Sequence, residues 1–175
     1  MGASSSRTIV ADPAGSGKNV LKITHSDSIS ASWIKNNTDF ANTSSGQFIV
    51  SVDIYIPSDS FTSGGSLQLQ LNGSANDYIT LVSDDKENPS AFETKSFPKD
   101  KWFRLAFLFD MDKNMYDVVV IVDGAIFSTH FDNRGASHIS GGPVNMRILL
   151  GGANQTVYVD NFGVITEADV ATDAE

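Results

Sequence analysis

Hydrophobic and polar residues alternate along most of this chain. The clearest case is GQFIVSVDIYIP (46–57), in which apolar side chains fall at every second position: Phe48, Val50, Val52, Ile54 and Ile56. A period of two places successive side chains on opposite faces of a β-strand, so this face is predicted to be buried. The same alternation recurs in NVLKITH, SLQLQLN, YITLVS, KWFRLAFLFD, YDVVVIVDG, AIFSTHF, VNMRILLGG and TVYVDNFGVI.

The segments between these runs are rich in Gly, Asn, Asp and Ser, as in TSGG, NGSAND and SDDKENP, which is typical of turns. No stretch of a dozen residues shows a helical period with capping residues. The pattern predicts an all-β chain folded as a two-sheet antiparallel β-sandwich of the jelly-roll type. We expect the domain to span residues 9–166. Residues 1–8 are interpreted as a linker or expression remnant, and residues 167–175 as an acidic linker or tail.

Composition limits the kinds of partner and site that this chain can have. The chain has 175 residues, 41% of them hydrophobic, which suits one domain with a substantial core. Its net charge of −9 disfavours nucleic acids and anionic membrane surfaces as partners. Cysteine is absent, so disulfides and thiolate metal sites are excluded. No apolar run approaches the ~20 residues of a membrane span, and we predict no membrane insertion.

Two short motifs resemble ligand loops but lack essential residues. GSGK (15–18) lacks the first glycine of a phosphate-binding loop, since Asp12 stands there, and Asn19 replaces its hydroxyl residue. DMDKN (110–114) opens like a calcium loop, but Met115 stands where the sharp turn needs glycine. We therefore interpret GSGK as a glycine-rich turn that leads into the first strand, and DMDKN as a hairpin turn.

The order of several marks resembles the concanavalin A-like superfamily. These marks are a tryptophan opening the strand KWFRLAFLFD, a polar hairpin, a strand ending in VDG, and a final strand of the form VDNF. The resemblance covers roughly residues 18–166. It implies the sandwich fold of that superfamily, whose members include lectins, laminin G-like modules, glycoside hydrolases, alginate lyases and carbohydrate-binding modules. Because enzymes and binding modules share this fold, the resemblance alone does not assign a function.

The catalytic motifs of the enzymes in that superfamily are missing from this sequence. Family 16 hydrolases carry E-x-D-x-x-E, which sets two carboxylates across the glycosidic bond, and no such motif occurs here. The strands Q-I-H and R-x-E-L-R of the related lyases are also absent. We therefore expect a noncatalytic protein. The minority alternative is a divergent hydrolase or lyase that uses Asp53.

The resemblance also implies a structural calcium ion. In such proteins the ligands are a carboxylate of the last strand, a carbonyl near the domain start, and the carbonyl of the glycine before the long inner strand. The matching positions here are Asp160, Asp12 and Gly46. Oxygen ligands suit this hard cation. The alternative is that Asp160 only caps a backbone amide.

Residues opposite the predicted core offer a surface for sugars. Glycans are recognised by aromatic rings that stack on C–H faces and by fixed polar groups that bind hydroxyls. Strand parity and one aromatic segment, SASWIKN, select the candidates: Trp33, Asp53, Tyr55, Gln68, Gln70, Tyr78, Arg104 and Arg147. We expect them on a concave sheet face, and we expect Gln68 and Gln70 beside Asp53 and Tyr55 if the two strands are sheet neighbours.

The leading hypothesis is a carbohydrate-binding module of a larger protein, secreted or at the cell surface, with a polysaccharide as its partner. The module is expected to be tethered to other domains of that protein. The alternative is a laminin G-like structural or adhesive domain that contacts a protein.

Overall fold

The computed structural model describes residues 5–26, 31–35, 43–61, 66–73, 78–82, 97–134 and 143–166. Eleven β-strands occupy these ranges: β1 (Ser5–Ala11), β2 (Asn19–His25), β3 (Ala31–Lys35), β4 (Gln47–Tyr55), β5 (Ser66–Gly73), β6 (Tyr78–Val82), β7 (Trp102–Asp110), β8 (Met115–Val122), β9 (Ala125–Arg134), β10 (Pro143–Gly151) and β11 (Gln155–Thr166). The predicted all-β class is confirmed. No helix among the described residues is long and apolar enough to cross a membrane.

The strands form two antiparallel sheets. The larger has the order β1-β2-β11-β4-β7-β8-β9, and the smaller has the order β3-β10-β5-β6. Several neighbours are distant in sequence, since β4 lies between β11 and β7, and β10 lies between β3 and β5. These long connections are those of a jelly-roll sandwich, as predicted.

The core fills the space between the sheets. The predicted inward residues of β4, from Phe48 to Ile54, are 2% exposed or less, and Leu67, Leu69 and Leu71 of β5 are fully buried. The rings of Phe48 and Phe109 stack with centroids 4.8 Å apart. Burial of alternate residues on both sheets leaves the other face of each sheet outside the core. We call these the outer faces.

Two tight turns contain residue types that tolerate the left-handed backbone conformation found there. The two-residue connection of β8 and β9 holds Asp123 and Gly124 at φ 52° and 77°, the left-handed pair that a twisted hairpin requires. The segment DMDKN joins β7 to β8, and Asn114 there has φ 58°. It is therefore a hairpin turn, as predicted. GSGK is also a turn, but it lies between β1 and β2 and so leads into the second strand, not the first as expected.

One predicted boundary is wrong. Residues 5–8, expected to belong to a remnant ahead of the domain, form the first half of β1 and pair with Ile23–His25 and Lys22 of β2. Their composition of Ser, Arg and Thr hides the strand, because an exposed edge strand needs no apolar face. The proposed tail, 167–175, lies outside the described residues.

Candidate functional site

A row of large side chains crosses the outer face of the seven-stranded sheet. Lys22, Tyr158, Tyr55 and Trp102 stand in register on β2, β11, β4 and β7. The Tyr55 ring centroid lies 5.7 Å from those of Trp102 and Tyr158. The Lys22 ammonium lies 5.7 Å from the Tyr158 centroid. We call these four residues the aromatic row.

The hairpin of β1 and β2 holds one end of this row. The Trp102 indole Nε1 donates a 2.8 Å hydrogen bond to Oδ1 of Asp12. Backbone amides of Ala14 and Ser16 also donate to the Asp12 carboxylate, at 2.8 and 3.3 Å. Desolvation opposes ionisation of Asp12, but the hydrogen bonds from Ser16, Trp102 and Ala14 outweigh it and lower its pKa to about 2. The indole plane is thereby fixed by an ionised carboxylate.

The two outer rings of the row, rather than the central one, offer contact surface. Tyr55 is only 9% exposed, and burial raises the pKa of its phenol. Trp102 and Tyr158 are partly exposed on either side of it. The stacking role predicted for Tyr55 therefore suits these two neighbours better, with Tyr55 packed as the support between them.

Beside the aromatic row lies a charged cluster of Asp53, Arg104 and Asn161. The Arg104 guanidinium binds the Asp53 carboxylate through two hydrogen bonds, Nε to Oδ1 at 2.7 Å and Nη2 to Oδ2 at 2.9 Å. The Asn161 amide donates to Asp53 Oδ2 at 2.7 Å. The hydrogen bond to Asp53 raises the pKa of Arg104. We call these three residues the polar cluster.

A β-bulge in β11 positions Asn161. The pairing with β4 shifts between Asp160 and Gly163, so β11 has one residue more than its partner there. Asn161 takes φ 47°, a left-handed conformation that asparagine tolerates better than most residues. The extra residue turns the Asn161 side chain toward Asp53.

A shallow depression joins the row and the cluster. Its volume is about 260 Å³, and its lining comprises Asp53, Trp102, Phe103, Arg104, Ile121, Asp123 and Gly124. It therefore places an aromatic edge, a guanidinium and carboxylates around one shallow surface. Such a combination can stack a sugar ring and bind its hydroxyls.

The predicted binding residues do not form a single patch. Gln68, Gln70 and Arg147 lie on β5 and β10 of the four-stranded sheet, whereas Asp53 lies on β4 of the other sheet. The expected adjacency of β4 and β5 is wrong, because β4 pairs with β11 and β7. Each outer face thus carries its own group, and Gln70 is only 8% exposed.

Two further candidates are described only by their backbones. Trp33 pairs with Ile148 of β10, whose side chain is buried. Tyr78 pairs with Asn72 of β5. The side chains of Trp33 and Tyr78 lie outside the described atoms, so their binding roles stay predictions.

A calcium ion shared by Asp160, Asp12 and Gly46 is contradicted by the strand register. Asp160 pairs with Asp53, seven positions along β4 from Gly46, which corresponds to about 23 Å of extended chain. The Gly46 carbonyl instead accepts the amide of Met111 at 3.0 Å. Among the described residues, no three His, Cys, Asp or Glu side chains could hold a metal together. Calcium binding as such stays a prediction without a ligand set.

Sequence reasoning missed three contributors: Lys22, Tyr158 and Asn161. Tyr158 had a usable signal, because in TVYVDNF it alternates with the buried Val157 and Val159 and so belongs on the outer face. Lys22 lacked one, since an isolated lysine is common on any strand. Asn161 depends on the bulge, which strict alternation does not reveal.

Comparison with known proteins supports the fold. No protein-family profile matches the sequence, and no curated protein matches it. Among solved structures, a GH131 β-glucanase catalytic domain from Podospora anserina aligns with a TM-score of 0.60 at 10% identity, over 91% of this chain and 78% of that one. An exo-β-agarase aligns with a TM-score of 0.55 at 14% identity, over 94% of this chain and 23% of its own.

A sialidase also aligns, with a TM-score of 0.53 at 10% identity, over 92% of this chain. This chain spans only 17% of the sialidase and 23% of the agarase chain. At such identities the similarity shows the fold alone. It agrees with the predicted jelly-roll sandwich.

Proposed function

We propose that this chain is a noncatalytic carbohydrate-binding module whose polysaccharide ligand lies on the outer face of the seven-stranded sheet. The observation that carries the proposal is the adjacency of the aromatic row and the polar cluster on that face. The proteins of similar fold named above bear the names of carbohydrate-active enzymes, which supports a glycan as the ligand class. The parent protein acts outside the cell in this proposal, with the module tethered to its other domains.

Each part of the surface has a separate task. The partly exposed rings of Trp102 and Tyr158 stack against the C–H faces of sugar rings, which removes apolar surface of both partners from water. Arg104 and Asn161 are already oriented by Asp53, so little side-chain entropy is lost when they bind hydroxyls. Asp53 itself positions these two side chains, because its oxygens accept their hydrogen bonds.

The test begins with a screen of the purified chain against immobilised polysaccharides. For a polysaccharide that binds, Tyr158→Ala removes a partly exposed ring and is expected to lower the affinity about tenfold. Gln68→Ala on the other sheet is the matched control and is expected to leave the affinity within about twofold. Equal losses in both variants, or a loss in the control alone, would place the ligand elsewhere. Melting temperatures of the variants separate loss of binding from loss of folding.

One observation favours a second candidate, a divergent glycoside hydrolase. Asp53 and Asp160 pair across β4 and β11 on the same face, and glycosidases use two carboxylates flanking the scissile bond. Two hydrogen bonds from Arg104 hold the Asp53 carboxylate in place, which suits a nucleophile or base at this position.

Release of reducing ends from the bound polysaccharide decides between the two candidates. A binding module releases none. A hydrolase releases them at a rate that falls at least a hundredfold in both Asp53→Asn and Asp160→Asn.

A further inference from the structure

A second concave feature lies at the opposite end of the same outer face, near the hairpin of β7 and β8. It is a groove of about 590 Å³, within the usual range for ligand sites. Its lining comes from β4, β7, β8, β11 and the turn between β7 and β8, and includes Gln47, Ile49, Leu108, Asp110, Lys113 and Ile165.

The floor of the groove is apolar. Ile165, Ile49 and Leu108 stand in register across β11, β4 and β7, and Met115 on β8 adds a flexible thioether side chain. Leu108 and Ile165 are 38% and 47% exposed, although other positions on these strands are fully buried. Covering this apolar floor with an apolar group is favourable, because it removes apolar surface from water.

The rim is polar and already ordered. Asp110 accepts hydrogen bonds from Lys113 Nζ at 2.7 Å, from the Lys113 amide at 2.9 Å, and from Gln47 Nε2 at 2.9 Å. The hydrogen bond from Lys113, together with that from Gln47, lowers the pKa of Asp110 to about 2. The rim therefore keeps its charges fixed across neutral pH and can orient the polar part of a ligand.

A row of small residues connects the groove to the polar cluster. Gly163, Ser51 and Ala106 stand in register between the row of Asp53 and the row of Ile49. A Cβ added at Gly163 would lie 3.7 Å from the Ser51 hydroxyl oxygen, which is an ordinary van der Waals contact. The described neighbours of Gly163 therefore leave room for a small side chain. From Asp53 to Ile49 the strand covers about 13 Å. Among the described residues, only small side chains thus lie on β4 and β7 between the proposed sugar surface and the groove.

We propose that the groove binds an apolar substituent of the glycan, such as an ester-linked acyl group or an alkyl aglycone. This inference rests on the proposed glycan-binding function and specifies its ligand. The sugar backbone lies over the polar cluster and the small residues, parallel to β4. Its apolar substituent covers Leu108, Ile49 and Ile165, and the rim residues Lys113 and Gln47 contact the polar atoms where the substituent joins the sugar.

The chain's own residues 167–175 are the competing occupant, because they follow Thr166 at the groove. That segment carries four carboxylates and one large apolar residue, Val170. Among the described lining residues, the rim carries Asp110 and Asp117 against one lysine, so charge opposes this occupant. A neutral or cationic ligand suits the rim better.

The experiment uses methyl, butyl and octyl β-glucopyranosides as probes, below the micelle concentration, with methyl NMR of the full chain as the readout. Affinity is expected to rise with alkyl length by up to about fourfold per buried methylene. The largest shifts are expected at the methyl groups of Ile49, Leu108 and Ile165. Leu108→Gln should weaken octyl glucoside binding at least tenfold and leave methyl glucoside binding unchanged. Leu149→Gln, on the outer face of the other sheet, is the matched control.

Four outcomes overturn the proposal. Affinity independent of alkyl length, or equal effects of Leu108→Gln and Leu149→Gln, removes the groove as an apolar site. A gain of tenfold or more in octyl glucoside affinity in Val170→Asp identifies the tail as the occupant. If the polysaccharide screen yields no ligand at all, the proposed function fails and this inference with it. If instead polysaccharide binding depends on Tyr158 but no alkyl dependence is found, only this inference fails.

Discussion

Single residues on the outer face are held by partners that are far away in sequence. Trp102 and Asp12 are 90 positions apart, yet the indole N–H and the carboxylate meet at 2.8 Å. The alternation of KWFRLAF predicts that Trp102 faces away from the core, but no local pattern predicts its acceptor. Residue orientation was therefore predictable from the sequence, whereas the hydrogen-bond partner was not.

The Asp12 contact leads to a pH-dependent prediction. Its folded-state pKa of about 2 lies below the ~4 of an unfolded aspartate. A depressed pKa means that ionised Asp12 stabilises the fold fully above about pH 4, and this contribution disappears as the pH falls toward 2. Thermal melts should show Asp12→Asn less stable than the wild type at pH 6, with the difference closing between pH 4 and pH 2.

Asp123→Asn is the matched control for that series. Its carboxylate forms an exposed ion pair with Lys101 at 3.4 Å, and exposed pairs contribute little. We expect the control to melt close to the wild type throughout. A constant gap for Asp12→Asn from pH 6 to pH 2 would contradict the assigned role of the ionised carboxylate.

At the scale of elements, strand existence followed from the sequence and strand irregularities did not. Nine runs with alternating apolar residues became strands, because one buried face forces a period of two. β1 and β3, each an edge strand of its sheet, were missed because their segments carry no such alternation. The bulge at Asn161 was missed because it breaks the period inside a run whose flanks still alternate.

The bulge gives a prediction that separates conformation from side-chain bonding. Asn161→Gly keeps the left-handed conformation easily but loses the hydrogen bond to Asp53, and we expect it to lose about 0.5–1.5 kcal/mol of unfolding free energy. Asn161→Ala loses the same bond and also strains the backbone, which adds about 1 kcal/mol. Urea denaturation of both variants measures the difference. An alanine variant as stable as the glycine variant would show that backbone strain at position 161 is negligible.

At the scale of the whole molecule, the sandwich was predictable and the order of its strands was not. Composition, alternation and turn segments all favour two antiparallel sheets. Pairing of β4 with β11 and β7 joins residues about 50 to 120 positions apart, and binary patterns contain no information on such partners. The expectation of a single binding patch was wrong for this reason. Its residues were correctly assigned away from the core but belong to opposite outer faces.

The central claim is that a glycan occupies the outer face of the seven-stranded sheet. Hydroxyl-radical footprinting with and without a bound polysaccharide tests it most directly, because oxidation reports the exposure of individual side chains on both faces at once. The account predicts that the ligand protects Trp102 and Tyr158, while Leu149 on the four-stranded sheet keeps its reactivity. Protection of Leu149 with Trp102 and Tyr158 unchanged would contradict it.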